Sequence, residues 1–242
     1  MGPTGSGKTG ASILAAKKIK EETGRTVEII SADSRAIYKY MDIGTAKPTM
    51  EERDGVPHWG IDLVEPSERF TVADWKEYAE TKISEIEARG NIPMVVGGTG
   101  LYIDALVMNY QFTKEAKEKQ LDRARGNCIK YLLIGTKIDT QELRKRLEER
   151  VNKMFVQELF SETEFLVTKY GWGSQAMKSD IYEYAWKYML GELSLEKAKE
   201  LAFYEDWHLA KRQMTWFKRN PKILWTEVPK IPETVLKWIQ DE

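Results

Sequence analysis

The first residues of the chain have the types and spacing that hold phosphate. Gly2, Gly7, Lys8 and Thr9 match G-x-x-x-x-G-K-[ST], with Pro3, Thr4, Gly5 and Ser6 between them. Glycines let backbone N–H groups curl around phosphate oxygens, and a helix starting there adds the partial positive charge of its N-terminus. In such a loop the lysine, here Lys8, reaches the outer phosphates, and the hydroxyl of Thr9 is offered to Mg2+. The motif argues for a bound phosphate and says little about the reaction. Most proteins with this loop transfer or hydrolyse a nucleotide phosphate, using an acid at the end of a later strand. Here that strand runs into SADSRAIYKYMDIGTAKP, which puts Asp33 close to the phosphate loop.

Three further places carry chemistry-bearing types. Thr99 in GGTG has its hydroxyl beside two glycines at a strand end. His58 in VPHWGID and His208 in DWHLAKRQ are the two histidines, and neither has a second ligand at metal spacing, so no zinc site is expected. Lys211, Arg212, Lys218, Arg219 and Lys222 crowd into twelve residues without an acid, interleaved with Trp216 and Phe217. Offsets of three, four and seven place Lys211, Arg212, Thr215, Lys218 and Arg219 on about one helix face, which can pair with nucleic-acid phosphates.

These residues need elements to position them. The spacing predicts a helix over 7–22 with Gly24 as its C-cap, and a β-branched strand over 26–31. A long stretch punctuated by Gly and Pro, 33–66, is expected as a functional loop. Thr71 caps a second amphipathic helix ending near Gly90, and apolar strands are expected over 92–98 and 129–135. From 139 to 220 the pattern is helical, with a last strand over 222–227. Strands separated by such helices argue an α/β fold: a parallel sheet of the phosphate-loop type flanked by helices, with a helix-rich C-terminal half. The expected organisation is a phosphate-loop core over 1–110, a short bridge over 111–128, and the rest of the core with C-terminal helices over 129–242.

Composition excludes several classes. The 242 residues are 42% hydrophobic, enough for one sizeable core. Lys+Arg 37 against Asp+Glu 38 leaves a net charge of -1, so any nucleic-acid partner must meet a local patch. The single cysteine, Cys128, excludes an internal disulfide framework and a cysteine-rich metal cluster. With no signal peptide and no long apolar run, a soluble cytoplasmic protein without a membrane partner is expected.

The blocks GPTGSGKT, DSRAIYKYMDIGTAKP, VPHWGIDLVEP, VVGGTGLY and AKRQMTWFKR follow one another between Gly2 and Arg219. In that order they resemble the signature blocks of the tRNA dimethylallyltransferases. The resemblance implies that the loop holds the pyrophosphate of dimethylallyl diphosphate rather than ATP, and that the prenyl group moves to the exocyclic amine of an adenine beside the anticodon. It implies Asp33 as general base, with Ser34, Arg35 and Ala36 completing a tRNA-facing turn. Thr99 matches a threonine that contacts acceptor and diphosphate, and Lys8 and Mg2+ would stabilise the leaving group. Arg212 joins 2–9 on the diphosphate. Lys47, His58, Gly98, Lys211, Gln213, Lys218 and Arg219 are expected on the acceptor side, where the anticodon stem-loop binds, and the protein is expected to be a monomer.

Departures from the pattern set further expectations. The family has a strand ahead of the phosphate loop, and this chain starts at the loop, so unpaired backbone groups and a loosely held loop are expected. The family inserts a helical domain after the Tyr110 region, and QFTKEAKEKQLDRARGN stands there instead, with Lys114, Lys117, Lys119, Arg123 and Arg125 able to touch RNA. A family glycine near Ile181 is absent, and an arginine ahead of AKRQ is replaced by Trp207. Three alternatives therefore stay open: prenyl transfer to free adenine nucleotide, a small-molecule kinase with the same loop, and a non-catalytic RNA-binding remnant.

Overall fold

The computed structural model describes residues 1–112, the backbone of 122–123, and residues 131–174, 176–177 and 180–241. Lys114, Lys117, Lys119, Arg125, Cys128 and the side chain of Arg123 lie outside the described residues.

Helix α1 (Lys8–Thr23) starts at Gly7, whose φ of 85° is the left-handed geometry that only glycine adopts cheaply, and ends at Gly24. Strand β1 (Val27–Ser31) follows and is buried along its whole length. The segment 33–66 is less irregular than its punctuation suggests: it contains α2 (Met50–Arg53), held by a Thr49–Glu52 capping box, and β2 (His58–Trp59). A second capping box, Thr71 with Asp74, opens α3 (Val72–Ala88). Strand β3 (Ile92–Val96) leads into α4 (Gly100–Val107), and a two-residue ladder joins β4 (Tyr110–Gln111) to β5 (Asp122–Arg123).

The second half begins with β6 (Ile134–Lys137), later than the apolar run 129–135 implies. Four helices follow: α5 (Thr140–Met154), α6 (Gln157–Tyr170), α7 (Asp180–Met189) and α8 (Leu195–Phe217). Strand β7 (Leu224–Glu227) and α9 (Ile231–Gln240) close the chain.

The pairings of β1 with β2 and β3 and of β6 with β7 are parallel, as strand–helix alternation requires, whereas the short β4–β5 ladder is antiparallel. The order β2-β1-β3 makes one sheet and β6-β7 another. Strand β3 is half-buried rather than buried, because residues from it and from Tyr131–Ile134 line an apolar cavity of about 550 Å3. Beneath the end of β1, Trp75 of α3 is fully buried, donates from Nε1 to the Ser31 carbonyl at 2.9 Å and stacks on Tyr102. A separate apolar cluster joins Ile37, Tyr38 and Met41 to Leu159 and Leu166 of α6, Tyr182 of α7 and Ala198 of α8. The 33–48 segment is thereby packed on the helical half, while the phosphate loop belongs to the strand half.

The expected looseness of the phosphate loop is not what the structure shows. The Met1 nitrogen donates to the Ile134 carbonyl at 2.8 Å, and the Thr136 N–H donates to the Met1 carbonyl at 3.0 Å. Met1 is thus paired to β6. The Thr136 hydroxyl donates to Ser6 Oγ at 2.7 Å in a buried contact.

Candidate active site

Where β1 and β3 end, the phosphate loop, the 33–48 segment and α8 enclose a cavity of about 540 Å3. Its position, outside the carboxyl ends of parallel strands, is where open α/β sheets bind ligands.

One wall is the phosphate loop. Thr4, Gly5, Gly7, Lys8 and Thr9 line the cavity, whereas Gly2, Pro3 and Ser6 lie behind it. Lys8 Nζ donates to the Pro3 carbonyl at 2.6 Å. Burial pulls the Lys8 ammonium down to about 8; Asp33 resists that shift and Arg150 adds to it. From α8, Gln213 Oε1 accepts the Thr4 N–H at 2.7 Å, clamping the loop at mid-length. Gly98 allows this approach, since a Cβ there would stand 2.5 Å from Gln213 Nε2.

The facing wall is the turn after β1. The Arg35 N–H donates to Asp33 Oδ1 at 2.8 Å, which fixes the carboxylate by an Asx turn. Thr99, at the start of α4, does not cap that helix; its hydroxyl accepts the Ser34 N–H at 3.0 Å and donates to Ser34 Oγ at 3.2 Å. Asp33, Ser34, Arg35, Ala36, Gly98 and Thr99 all line the cavity. His58 lines it from β2, and its Nδ1 can only donate to the Val56 carbonyl at 2.8 Å, which leaves Nε2 as an acceptor. Burial lowers its pKa, so the ring is neutral near pH 7.

Similarity to known proteins agrees with this geometry. The model of the IPP transferase family matches residues 36–128 and 115–220. A tRNA dimethylallyltransferase of Acetivibrio thermocellus is 35% identical over 285 residues, covering 93% of this chain and 89% of the relative. The chain belongs to the tRNA dimethylallyltransferase family. The full-length tRNA isopentenylpyrophosphate transferase of Bacillus halodurans superposes with a TM-score of 0.85 at 28% identity, covering 99% of this chain and 94% of that one. The tRNA delta(2)-isopentenylpyrophosphate transferase of Staphylococcus epidermidis gives 0.84 at 31% identity, covering 100% and 98%. The aligned span of 285 positions with the first relative exceeds the 242 residues of this chain, so that relative carries residues this family member lacks.

Among the expected acceptor-side residues, Lys47 and Gln213 line the cavity and also bond to protein partners. Lys47 is buried, with its ammonium on Asp42 Oδ1 at 2.5 Å, Asp62 Oδ1 at 2.6 Å and the Tyr38 carbonyl at 2.8 Å. That ammonium orders the 38–48 segment. Gln213, as above, holds the phosphate loop. Lys211, Arg212 and Arg219 line a shallow groove on the outer side of α8 with His208, Thr215 and Trp216; Arg212 also reaches the main cavity. Lys218 is exposed at the end of α8 and lines neither.

Sequence reasoning missed Glu162 of α6. Its carboxylate accepts the N–H groups of Asp42, Ile43 and Gly44 at 3.0–3.1 Å and the Tyr182 hydroxyl at 2.7 Å. In a surface-type sequence such as QELFSETEF nothing distinguishes Glu162 from its neighbours, because its backbone partners lie about 120 residues away and Tyr182 lies on another helix.

Proposed function

We propose that this protein transfers a dimethylallyl group from dimethylallyl diphosphate to the exocyclic amine of an adenine next to the anticodon of tRNA. The observation that carries the proposal is the single cavity in which Lys8 of the phosphate loop faces Asp33 and Thr99. An aromatic amine is a poor nucleophile, so a carboxylate that takes its proton as the new bond forms lowers the barrier. The N–C1 bond forms as the C1–O bond to the diphosphate breaks; the amine proton passes to Asp33 and pyrophosphate leaves toward the loop. Charge develops on the leaving oxygen, where Lys8 and the loop N–H groups stabilise it more than in the ground state. Thr99 holds Ser34, and through it the turn that carries Asp33.

The donor set suits a divalent cation carried largely by the diphosphate. Thr9 lines the cavity, and among the described residues no group of three His, Cys, Asp or Glu converges on a metal position. Magnesium held by Thr9 and phosphate oxygens would neutralise charge on the leaving group. The Arg212–Arg219 end of α8, with Arg219 over the Trp216 ring at 5.5 Å, would meet the anticodon stem-loop. No helix among the described residues is long and apolar enough to cross a membrane. A monomer working in the cytoplasm is the arrangement we propose.

Assaying transfer to an anticodon stem-loop and to adenosine monophosphate side by side tests the reading. Product is expected on the stem-loop; product on the free nucleotide alone would replace tRNA as the acceptor. Phosphate transfer from ATP in place of prenylation would establish the kinase alternative.

A further inference from the structure

Helix α4 starts beside Thr99, which holds the Ser34 turn, and further along it carries Asp104, a half-buried carboxylate with no part in the mechanism above. Asp104 Oδ2 accepts the Nε1–H of Trp216 from α8 at 2.8 Å. The same indole packs directly on Gly100, where a Cβ would stand 2.3 Å from Trp216 Cδ1. Two residues of α4 thus fix the ring. Over that ring lies Arg219, with Cζ 5.5 Å from the centroid, and both Trp216 and Arg219 line the outer groove of α8. Arg219 is exposed, and an exposed arginine loses much rotamer freedom on meeting a phosphate. A fixed ring beneath the guanidinium lowers that cost. Burial raises the pKa of Asp104, and the Trp216 N–H and the Arg219 charge oppose that shift, so carboxylate and guanidinium sense one another across the indole.

We propose that Asp104 is a positioning residue for RNA binding: it fixes Trp216, and through the ring Arg219, in register with the turn that carries Asp33. This rests on the tRNA reading above and extends it to a residue that lines neither the cavity nor the groove. One helix then serves both ends of the acceptor. Thr99 holds the Ser34 turn at the start of α4, and Asp104 holds the basic end of α8. The sign of the effect separates positioning from charge. A carboxylate near the groove repels a polyanion, so removing it would by charge alone tighten RNA binding, and a loss of affinity marks positioning.

Calorimetry with an anticodon stem-loop across a salt series tests this, with inorganic pyrophosphate as second ligand and thermal unfolding measured for each variant. Asp104→Ala is expected to weaken stem-loop binding about threefold to tenfold. It should also flatten the log–log salt slope by about one unit, the share of one phosphate contact, and leave pyrophosphate binding unchanged. Asp104→Asn keeps an acceptor oxygen for the indole and is expected to restore affinity to within about twofold of the parent. Should Asp104→Ala not fold, Trp216→Phe keeps a ring without the N–H and is expected to show the same loss. Arg219→Ala is expected to flatten the slope alike, and Asp104→Ala to add nothing to it, the non-additivity of residues acting as one. Stem-loop binding by Asp104→Ala as tight as in the parent, or tighter, would overturn the assignment of Asp104. So would a full effect of Asp104→Ala in the Arg219→Ala background, or no rescue by Asp104→Asn. A parent that fails to bind the stem-loop, or an unchanged slope in Arg219→Ala, would instead overturn the tRNA reading of this groove.

Discussion

On the donor wall of the cavity, a short contiguous stretch does the work: residues 2–9 supply the N–H groups, Lys8 and Thr9, and α1 follows directly. On the acceptor wall, the 33–48 segment has no regular structure of its own apart from a bridge at Tyr38, and side chains from distant elements hold it: Glu162 from α6, Tyr182 from α7, Thr99 from α4 and the internal Lys47. A phosphate is recognised by backbone, so its site is local. A nucleobase amine needs a carboxylate at one place and angle, so its site is assembled. Damage to the two walls should therefore read out differently.

The largest expected effect is on the acceptor side. Asp33→Asn keeps size and the Asx-turn acceptor but cannot take a proton, and the transfer rate should fall by about two to four powers of ten. Donor affinity measured in the same preparation should be unchanged; normal turnover would reduce Asp33 to a loop-shaping residue.

Next comes Lys8→Ala, which removes the charge facing the diphosphate. Dimethylallyl diphosphate should bind about tenfold or more weakly, the scale of a hydrogen bond to a charged group. Stem-loop affinity should hold, and calorimetry with each ligand checks both. Retained diphosphate binding with lost ATP binding would favour a kinase.

Glu162→Ala should break the acceptor wall alone. Three backbone N–H groups and the Tyr182 hydroxyl lose their acceptor. Urea unfolding should report about 1–3 kcal/mol of lost stability, and KM for the stem-loop should rise with KM for the donor nearly unchanged. Equal rises in both would show that the walls are not separable.

Titration gives a smaller contrast. Lys8 is charged below its depressed pKa of about 8, so donor affinity should decline as pH rises through that value. Fold stability should move the opposite way. Between about 8 and the ordinary 10.5 the unfolded chain binds the proton that the folded chain has released, so this group's contribution to stability rises with pH. Parallel pyrophosphate titrations and melting curves from pH 7 to 10 check the two signs.

The smallest effect concerns the basic end of α8. Changing Lys218 and Arg219 to alanine should flatten the log–log salt dependence of stem-loop binding by about one to two units. Diphosphate binding should stay intact, and an unchanged slope would place the RNA elsewhere.

How much of this was legible follows the same division. The phosphate-loop motif, its helix and the Gly24 cap are read directly from 1–24, because the motif, the helix and its cap are set by residues a few positions apart. The strand–helix alternation announced a parallel sheet, since hydrophobic period and crossover length are local properties. Strand β6 was placed too early because an apolar run alone does not show where pairing with β7 begins. The capping box of α2 was overlooked inside a segment judged only by its glycines and prolines. Lys47 was expected on the acceptor side; its two aspartate partners, which bury its ammonium, cannot be read from the sequence.

The sequence by itself determined the chemistry on offer: a phosphate cradle at Gly2–Thr9, a carboxylate at Asp33, a hydroxyl at Thr99 and a basic face on the late helix. Tertiary structure decided which of these residues face one another. It set Gln213 Oε1 on the Thr4 N–H, buried Lys47 between Asp42 and Asp62, and brought Arg150 and Asp206 to the loop from α5 and α8. The physical reason is one of range. Backbone cradles and helix faces follow from neighbours in sequence, whereas a charged side chain at the end of a long stem takes its role from whichever partner the packing of remote helices leaves within about 3 Å.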